Sequence, residues 1–180
     1  MDKLSIIIQT GNWPEIIKPQ VNLPKKSEKK VNALKSVCKN PLDFIEKFNP
    51  DFCAERYEIY NNETVALKSG MIKLSELKFA YEPDTAIDLI SAWLVNASLY
   101  VRLEIDLHLI KDIARELYKE VFMFNIAEFN LFFSKLKRGH YGNLYGRFDG
   151  MTICNAAIEY RSKRGLILSK LPEEEQNKII

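Results

Sequence analysis

The residue types best suited to contact a ligand are concentrated in one segment, GHYGNLYGRFDG, at positions 139–150. Four of the chain's seven glycines fall in this glycine loop, interleaved with His140, Tyr141, Tyr145 and Arg147. Glycine lets a ligand approach the backbone closely, and tyrosine rings stack on nucleic-acid bases. The loop therefore has the composition of a segment that binds phosphates and bases.

Basic residues flank the glycine loop on both sides. Positions 135–164 contain seven lysines and arginines against two acidic residues, Asp149 and Glu159, whereas the whole chain has a net charge of +2. Lysine and arginine neutralise phosphates and supply much of the affinity for nucleic acid. We therefore predict that DNA, RNA or a nucleoprotein complex is bound at Lys135, Lys137, Arg138, His140, Tyr141, Tyr145 and Arg147.

The same residues also have a structural interpretation. Basic residues in the last turn of a helix complement its dipole, and glycines supply the positive φ angles of a sharp turn. Tyr141, Tyr145 and Phe148 would then pack into the end of a helical bundle. In this alternative the chain is a scaffold or protein-interaction protein, and its N-terminal arm grips a protein partner.

No other segment has the spacing of a catalytic or metal site. The two histidines lie in different predicted elements, and the three cysteines are far apart, as expected for reduced thiols in a cytoplasmic protein. The H-E-x-x-H, G-x-S-x-G and P-loop patterns are absent. Asp149 near Cys154 would raise the pKa of that thiol, which disfavours a nucleophilic role. We predict a non-enzymatic protein without a metal or cofactor.

The composition is typical of a globular protein. Of its 180 residues, 47% are hydrophobic and 28% are charged, and a chain of this length buries a core without disulfides or metals. The small net charge excludes the strongly basic surface of a chromatin or ribosomal protein. No stretch approaches the roughly 18 apolar residues of a membrane span, and the run in MDKLSIII is too short for a secretion signal. We expect a cytoplasmic protein with no membrane partner.

The sequence predicts helices on both sides of the glycine loop, and these helices would hold it in place. The segment 86–97 is apolar around most of its circumference and predicts the central helix of the core. Gly139 is expected to end the helix that carries Phe132 and Phe133, and Gly165 to end the last helix. The fold class is all-α, a compact multi-helix bundle or orthogonal helical array, with at most a small strand pair in the arm or the loop. Capping residues before apolar periodicity predict helices after Asn40, Asp51, Ser75, Asp106, Asn125 and Asp149.

Three regions differ in composition. Residues 1–35 contain prolines and a lysine-rich run without sustained periodicity, which predicts an extended or partly disordered arm. The LSIII run in this arm would suit a strand docked on a partner. Residues 36–170 form the predicted single helical domain, and residues 171–180 a polar tail that is expected to fray.

The glycine loop and its flanking helices resemble a known pattern. The stretch FNLFFSKLKRGHYGNLYGRFDGMTICNAAIEYRSKR contains K-x-G-x-Y-G-x-L-Y-G-R-x-D-G and then Y-x-x-x-R. This resembles small helical proteins of unknown function from Bacteroides-type bacteria, their phages and their mobile elements, over roughly residues 70–165. The departure is at Asn155 to Ala157, where bulkier, acidic or aromatic residues are usual. The matching positions are Phe132, Phe133, Lys137, Gly139, Tyr141, Gly142, Leu144, Tyr145, Gly146, Arg147, Asp149, Gly150, Tyr160 and Arg164.

The resemblance implies a helical accessory protein of mobile-element biology. Within that setting it implies a role in DNA replication, as a helicase-loader-like or initiator-associated module.

Overall fold

The computed structural model describes residues 25–142, 144 and 148–180. The first 24 residues of the predicted arm, including the LSIII run, lie outside this part of the chain. Tyr145, Gly146 and Arg147 of the glycine loop lie outside it as well.

The regular elements in the described residues are helices. Two isolated β-bridges accompany them, between Lys73 and Asn125 and between His140 and Gly142. The predicted all-α fold class is therefore confirmed. The α-helices are α1 (Lys25–Val37), α2 (Pro41–Lys47), α3 (Pro50–Arg56), α4 (Glu63–Leu67), α5 (Leu77–Ala80), α6 (Thr85–Tyr100), α7 (Leu107–Val121), α8 (Ile126–Lys137), α9 (Gly150–Ser169) and α10 (Glu173–Ile179), with a 3₁₀ turn at Leu74–Glu76 before α5.

Side-chain caps begin several helices where the sequence predicted them. Asn40, Asp106 and Asp149 each accept a hydrogen bond from a backbone N–H two or three residues later, at 2.7–2.9 Å. Asn125 and Glu128 form the predicted capping box at the start of α8, because each side chain accepts from the backbone N–H of the other, at 3.0 and 3.1 Å. These caps satisfy N–H groups that have no partner within the helix.

The helices α6 and α8 form the centre of the core. Trp93 of α6 is 2% exposed and lies 5.4 Å from Phe129 and 5.3 Å from Phe133 of α8, measured between ring centroids. The amphipathic helix α7 packs against α6 and α9, and it turns its charged face to solvent. The apolar segment 86–97 is thus a core helix, as predicted. No helix in the described ranges is long and apolar enough to cross a membrane.

The N-terminal part of the described chain is helical, although the sequence predicted an arm through residue 35. Val31 and Leu34 are buried on one face of α1. Ser27 donates to Glu76 at 2.5 Å, and Lys30 donates to a main-chain carbonyl at 3.1 Å. Because these contacts are made with segments far along the chain, the lysine-rich sequence of α1 did not reveal them. The predicted arm therefore does not extend through residues 25–35.

The C-terminal segments also differ from the prediction. Gly165 was expected to end the last helix of the domain, but α9 continues to Ser169, because the backbone at Gly165 does not adopt a positive φ. The tail was expected to fray, but it forms α10, and Glu175 pairs with Lys68 at 2.6 Å. The ammonium of Lys73 donates to the Ile180 carbonyl at 2.5 Å. An ion pair and a hydrogen bond with distant residues therefore hold a segment that is polar by sequence.

Gly142 in the glycine loop and Gly165 in α9 provide a matched pair of substitutions that tests the backbone geometry. Gly142 has φ +101°, and an alanine there is expected to lower the free energy of unfolding by about 1–2 kcal/mol. Gly165 lies inside α9 with open space around its missing Cβ, so Gly165→Ala is expected to raise this free energy by about 0.5–1 kcal/mol. Urea denaturation followed by circular dichroism measures both. Equal effects of the two substitutions would contradict the assigned backbone geometry.

Candidate nucleic-acid interface

The glycine loop connects α8 to α9. Gly139 and Gly142 have positive φ angles, of 76° and 101°, and so provide the turn that ends α8. Two apolar loop residues, Leu144 and Phe148, are buried, with 4% and 8% exposure. The described part of the loop is therefore anchored in the core.

Tyr141, a predicted base-stacking residue, is half-buried against the same core. Its ring centroid lies 5.9 Å from that of Phe132. Its hydroxyl is buried without a hydrogen-bond partner among the described residues, and burial raises the pKa of Tyr141. The Lys163 ammonium lies 5.8 Å from the ring centroid. Tyr141 is thus a packing residue in this structure, rather than an exposed surface for a base.

Most of the basic residues between positions 135 and 164 form ion pairs. This segment is therefore not a continuous surface of unpaired positive charge. Arg147, a further member of the basic set, is outside the described residues. The pairs are Lys135 with Glu63, Arg161 with Glu120 at 2.5 Å, Lys163 with Glu159 at 3.0 Å and Arg164 with Glu128 at 2.8 Å.

Lys135 was predicted to bind nucleic acid, but its charge is matched by Glu63 of α4. The two side chains are 14% and 21% exposed. Burial opposes ionisation of Glu63, but the hydrogen bond and positive charge of Lys135 lower the pKa of Glu63 overall. The sequence did not predict α4, so this partner of Lys135 was not expected.

The Arg164–Glu128 pair joins α9 to α8 inside the protein. Arg164 is 8% exposed and Glu128 is 1% exposed. Glu128 also accepts hydrogen bonds from the backbone N–H and the side-chain amide of Asn125, at 3.1 and 3.0 Å. Burial raises the pKa of Glu128, while Arg164 and the Asn125 N–H act in the opposite direction. Arg164 is therefore a structural residue.

The two remaining predicted cations, Lys137 and Arg138, lie together in a cleft of about 480 Å³. We call this the aromatic cleft, because four aromatic side chains line it. It is formed by α3, α6, the end of α8 and the segment after α3. The lining residues are Pro50, Ala54, Tyr57, Glu58, Tyr60, Asn61, Trp93, Tyr100, Asn130, Leu131, Ser134, Lys137 and Arg138.

Local structure holds the walls of the aromatic cleft in place. Asn49 caps α3 by accepting from the Phe52 N–H at 2.9 Å, with Pro50 in the first turn. The Trp93 indole N–H donates to the Phe48 carbonyl at 2.9 Å, which orients the ring. The helices α3, α6 and α8 contact one another. The cleft therefore lies where three helices meet.

Positive charge and an exposed ring lie at the rim of the cleft. Lys137 donates to the Asn96 side-chain oxygen, and its ammonium is 5.8 Å from the centroid of Tyr100, which is 60% exposed. Burial lowers the pKa of Lys137, and Asp51 acts in the opposite direction. Arg138 is exposed and forms no ion pair with the described carboxylates. Its Nε donates to the Ser134 carbonyl at 3.2 Å, and the two terminal nitrogens of the guanidinium are available to an anionic ligand.

The inner wall of the cleft carries two further tyrosines. Tyr57 and Tyr60 lie 5.8 Å apart between ring centroids, and both are half-buried. Burial raises the pKa of Tyr57 to about 12. Its hydroxyl therefore stays protonated at neutral pH and offers a neutral donor to a ligand.

The structure brings together part of the predicted set and adds residues that the sequence did not single out. Lys137 and Arg138 line the cleft, and His140 is exposed beyond the end of α8. The predicted binding roles of Tyr145 and Arg147 stay predictions, because both residues lie outside the part of the chain that the structure describes. The residues missed by the sequence prediction are Tyr57, Tyr60, Tyr100 and Asn130. A signal for Asn130 was present, since it is an uncharged amide within the apolar run FNLFF.

Other parts of the described chain offer less for a ligand. Within these ranges no group of three or more histidine, cysteine, aspartate or glutamate residues is arranged to hold a metal ion. A second cavity, of about 320 Å³, lies beside α10. Two of its cations, Lys68 and Lys73, already contact Glu175 and the Ile180 carbonyl. The aromatic cleft is therefore the candidate site.

No family model, curated protein sequence or solved structure matches this chain. The resemblance to mobile-element proteins of Bacteroides-type bacteria therefore rests on its sequence pattern and stays a prediction. The function has to be inferred from the chemistry of the cleft.

Proposed function

We propose that this protein is a non-enzymatic module that binds single-stranded nucleic acid in the aromatic cleft. The observation that carries the proposal is the convergence of four aromatic side chains and two cations on one cleft. Single-strand binding proteins combine these two features, with rings that stack on bases and a basic groove that follows the backbone.

Each rim residue has a role in this proposal. The exposed ring of Tyr100 stacks on a base, and the neighbouring Lys137 ammonium adds positive charge beside that ring. Arg138, which is exposed, contacts a phosphate. Stacking on an aromatic side chain contributes about 1–3 kcal/mol per base. Tyr100 and Arg138 together therefore supply the attachment for one nucleotide.

The charge distribution favours a single strand over a duplex. Double-stranded binding needs a row of cations along the phosphate backbone, whereas Arg161, Lys163 and Arg164 of α9 are paired with carboxylates. Aromatic stacking also requires a base that is not already stacked in a helix. Single strands are exposed during DNA replication, so the implied setting of a replication-accessory protein in mobile-element biology suits this ligand.

Fluorescence anisotropy with labelled single-stranded DNA, single-stranded RNA and duplex DNA tests the proposal. We expect saturable binding to single strands that weakens with salt, and weaker binding to the duplex. Arg138→Ala should reduce affinity by about 5- to 10-fold and reduce the slope of log affinity against log salt by about 0.7, because one phosphate contact is lost.

Arg161→Ala is the matched control, since it removes the same charge from a residue outside the cleft that pairs with Glu120. It should leave affinity nearly unchanged. The proposal fails if single strands do not bind at low salt, or if the two arginine variants lose affinity equally.

Protein interaction is the second candidate function, and an exposed apolar surface favours it. Leu107, Leu109 and Met151, at the starts of α7 and α9, are 72%, 51% and 75% exposed. A shallow groove with Leu109, Ile113 and Met151 in its lining lies between these helices. Exposed apolar patches often mark contacts with other proteins. Under this candidate Met151→Lys would disrupt an assembly, detected by size-exclusion chromatography, without altering nucleic-acid binding.

A further inference from the structure

Asn130 is a buried polar residue that lines the aromatic cleft. It lies in the middle of α8 and is 8% exposed. Its neighbours Phe129 and Leu131 are 1% and 2% exposed. Within the part of the chain that the structure describes, the Asn130 amide makes no side-chain hydrogen bond.

The other buried polar residues at the start of α8 are satisfied. Asn125 donates to the Ala66 carbonyl at 3.0 Å and to Glu128 at 3.0 Å. Glu128 in turn accepts from Arg164 at 2.8 Å. The amide of Asn130 differs from these neighbours, because no described residue bonds to it and its polar atoms are open to the cleft rather than fully buried. An unpaired amide in a cleft wall points to a ligand that supplies both a donor and an acceptor.

The spacing along α8 separates this amide from the phosphate-binding end. Asn130, Ser134 and Arg138 occupy the same face, because they are four residues apart. Asn130 and Arg138 are therefore about 12 Å apart along the helix axis. The base and the phosphate of one nucleotide likewise lie at its two ends, so both residues can be engaged by a single nucleotide that lies along α8.

We propose that Asn130 reads the edge of one unpaired base, with a preference for adenine; this inference rests on the proposed binding of single strands. The asparagine amide offers one donor and one acceptor side by side, and adenine presents the complementary pair at N6 and N7. The cleft volume of about 480 Å³ is within the range of small-ligand sites. The base enters the cleft, and the phosphate stays at the rim with Arg138.

The test uses five-nucleotide DNA strands of thymidine in which the central base is thymine, adenine, guanine or cytosine. Anisotropy should show about 5- to 10-fold tighter binding of the strand with central adenine, the discrimination of a bidentate amide contact. Asn130→Leu should abolish this preference, so that the strand with central adenine binds no more tightly than the all-thymine strand, because stacking and phosphate contacts do not distinguish the bases. Circular dichroism melting checks that the variant is folded.

Two further variants sharpen the test. Asn130→Asp replaces the amide by an acceptor and should move the preference to cytosine, which presents the N4 donor. Asn155→Leu is the matched control, because Asn155 is an exposed asparagine of α9. It should keep the adenine preference.

The outcomes separate this inference from the proposed function. Equal binding of all four strands by the unmodified protein, or an adenine preference that persists in Asn130→Leu, would overturn the role of Asn130 while the binding of single strands stands. Failure of every strand to bind would overturn the proposed function itself. Adenosine monophosphate serves as a competitor in the same assay. If it binds as tightly as the strand that it displaces, the site belongs to a free nucleotide, and the proposal of single-strand binding is overturned.

Discussion

Arg164→Met is expected to lower the free energy of unfolding by about 3–5 kcal/mol, because it removes one partner of a buried ion pair. A methionine side chain fills much of the space of the arginine chain, but it leaves Glu128, which is 1% exposed, without its positive partner. The hydrogen bonds from Asn125 remain and do not replace the lost charge. Urea denaturation at neutral pH, followed by circular dichroism, measures the change.

Arg161→Met is the control for this prediction. Arg161 lies in the same helix and pairs with Glu120, but its side chain is 48% exposed. Exposed ion pairs contribute about 0–1 kcal/mol, so this variant should unfold near the unmodified protein. Combining Arg164→Met with Glu128→Leu should recover part of the loss, since no buried charge is then left unpaired. Equal destabilisation by the two arginine variants would contradict the buried pair.

Phe132→Ala is expected to lower the free energy of unfolding by about 3–5 kcal/mol. Phe132 is fully buried in α8. Its ring lies 5.2 Å from Phe133, 5.9 Å from Tyr141 and 6.0 Å from Tyr160, measured between centroids. The truncation opens a cavity between α8, α9 and the glycine loop, and it removes these three ring contacts and a fourth with Phe124, whose centroid lies 6.3 Å away. Urea denaturation gives the magnitude.

Phe122→Ala removes the same ring from a position that is 39% exposed, after the end of α7. We expect this variant to lose less than half as much stability as Phe132→Ala, because partly exposed side chains lose less transfer energy and leave no closed cavity. A similar loss in both variants would contradict the central position of Phe132. In a Trp13→Phe background, which removes the other tryptophan of the chain, the fluorescence of Trp93 reports whether the core of each variant stays packed, because Trp93 packs on the neighbouring Phe129 and Phe133.

These two predictions concern residues of the sequence pattern on which the predicted resemblance to mobile-element proteins rests. Phe132 and Arg164 lie in the interior, and Tyr160 is fully buried beside Phe124 at 4.9 Å. Burial raises the pKa of Tyr160, which therefore stays neutral. This part of the pattern describes how α8 and α9 pack. The residues that we propose for binding include Lys137 of the pattern, together with cleft residues such as Tyr100 and Asn130 outside its defined positions.

The lysines at the end of α8 show why the composition of this segment was an incomplete guide to the binding site. Lys135 and Lys137 are two residues apart, yet Lys135 pairs with Glu63, whereas Lys137 lies in the cleft. Their different roles depend on which distant side chain packs beside each one. The sequence predicted positive charge at the end of α8 correctly, and it could not predict which charges would be neutralised.

The sequence by itself determined the helical fold class and the starts of the main helices. Asn40, Asp106, Asn125 and Asp149 act on N–H groups within three residues, so their signals are local and can be read from the chain. The apolar periodicity of α6 and α7 is local in the same sense.

The tertiary structure decided the rest. The helices α1, α4 and α10 are short or polar, and contacts with distant segments stabilise them. The aromatic cleft combines Tyr57, Trp93 and Asn130 from three separate segments. Such a site leaves no fixed spacing in the sequence, because its members become neighbours when α3, α6 and α8 pack together. Helix periodicity records interactions over a few residues, whereas charge pairing and cleft formation depend on contacts across tens of residues.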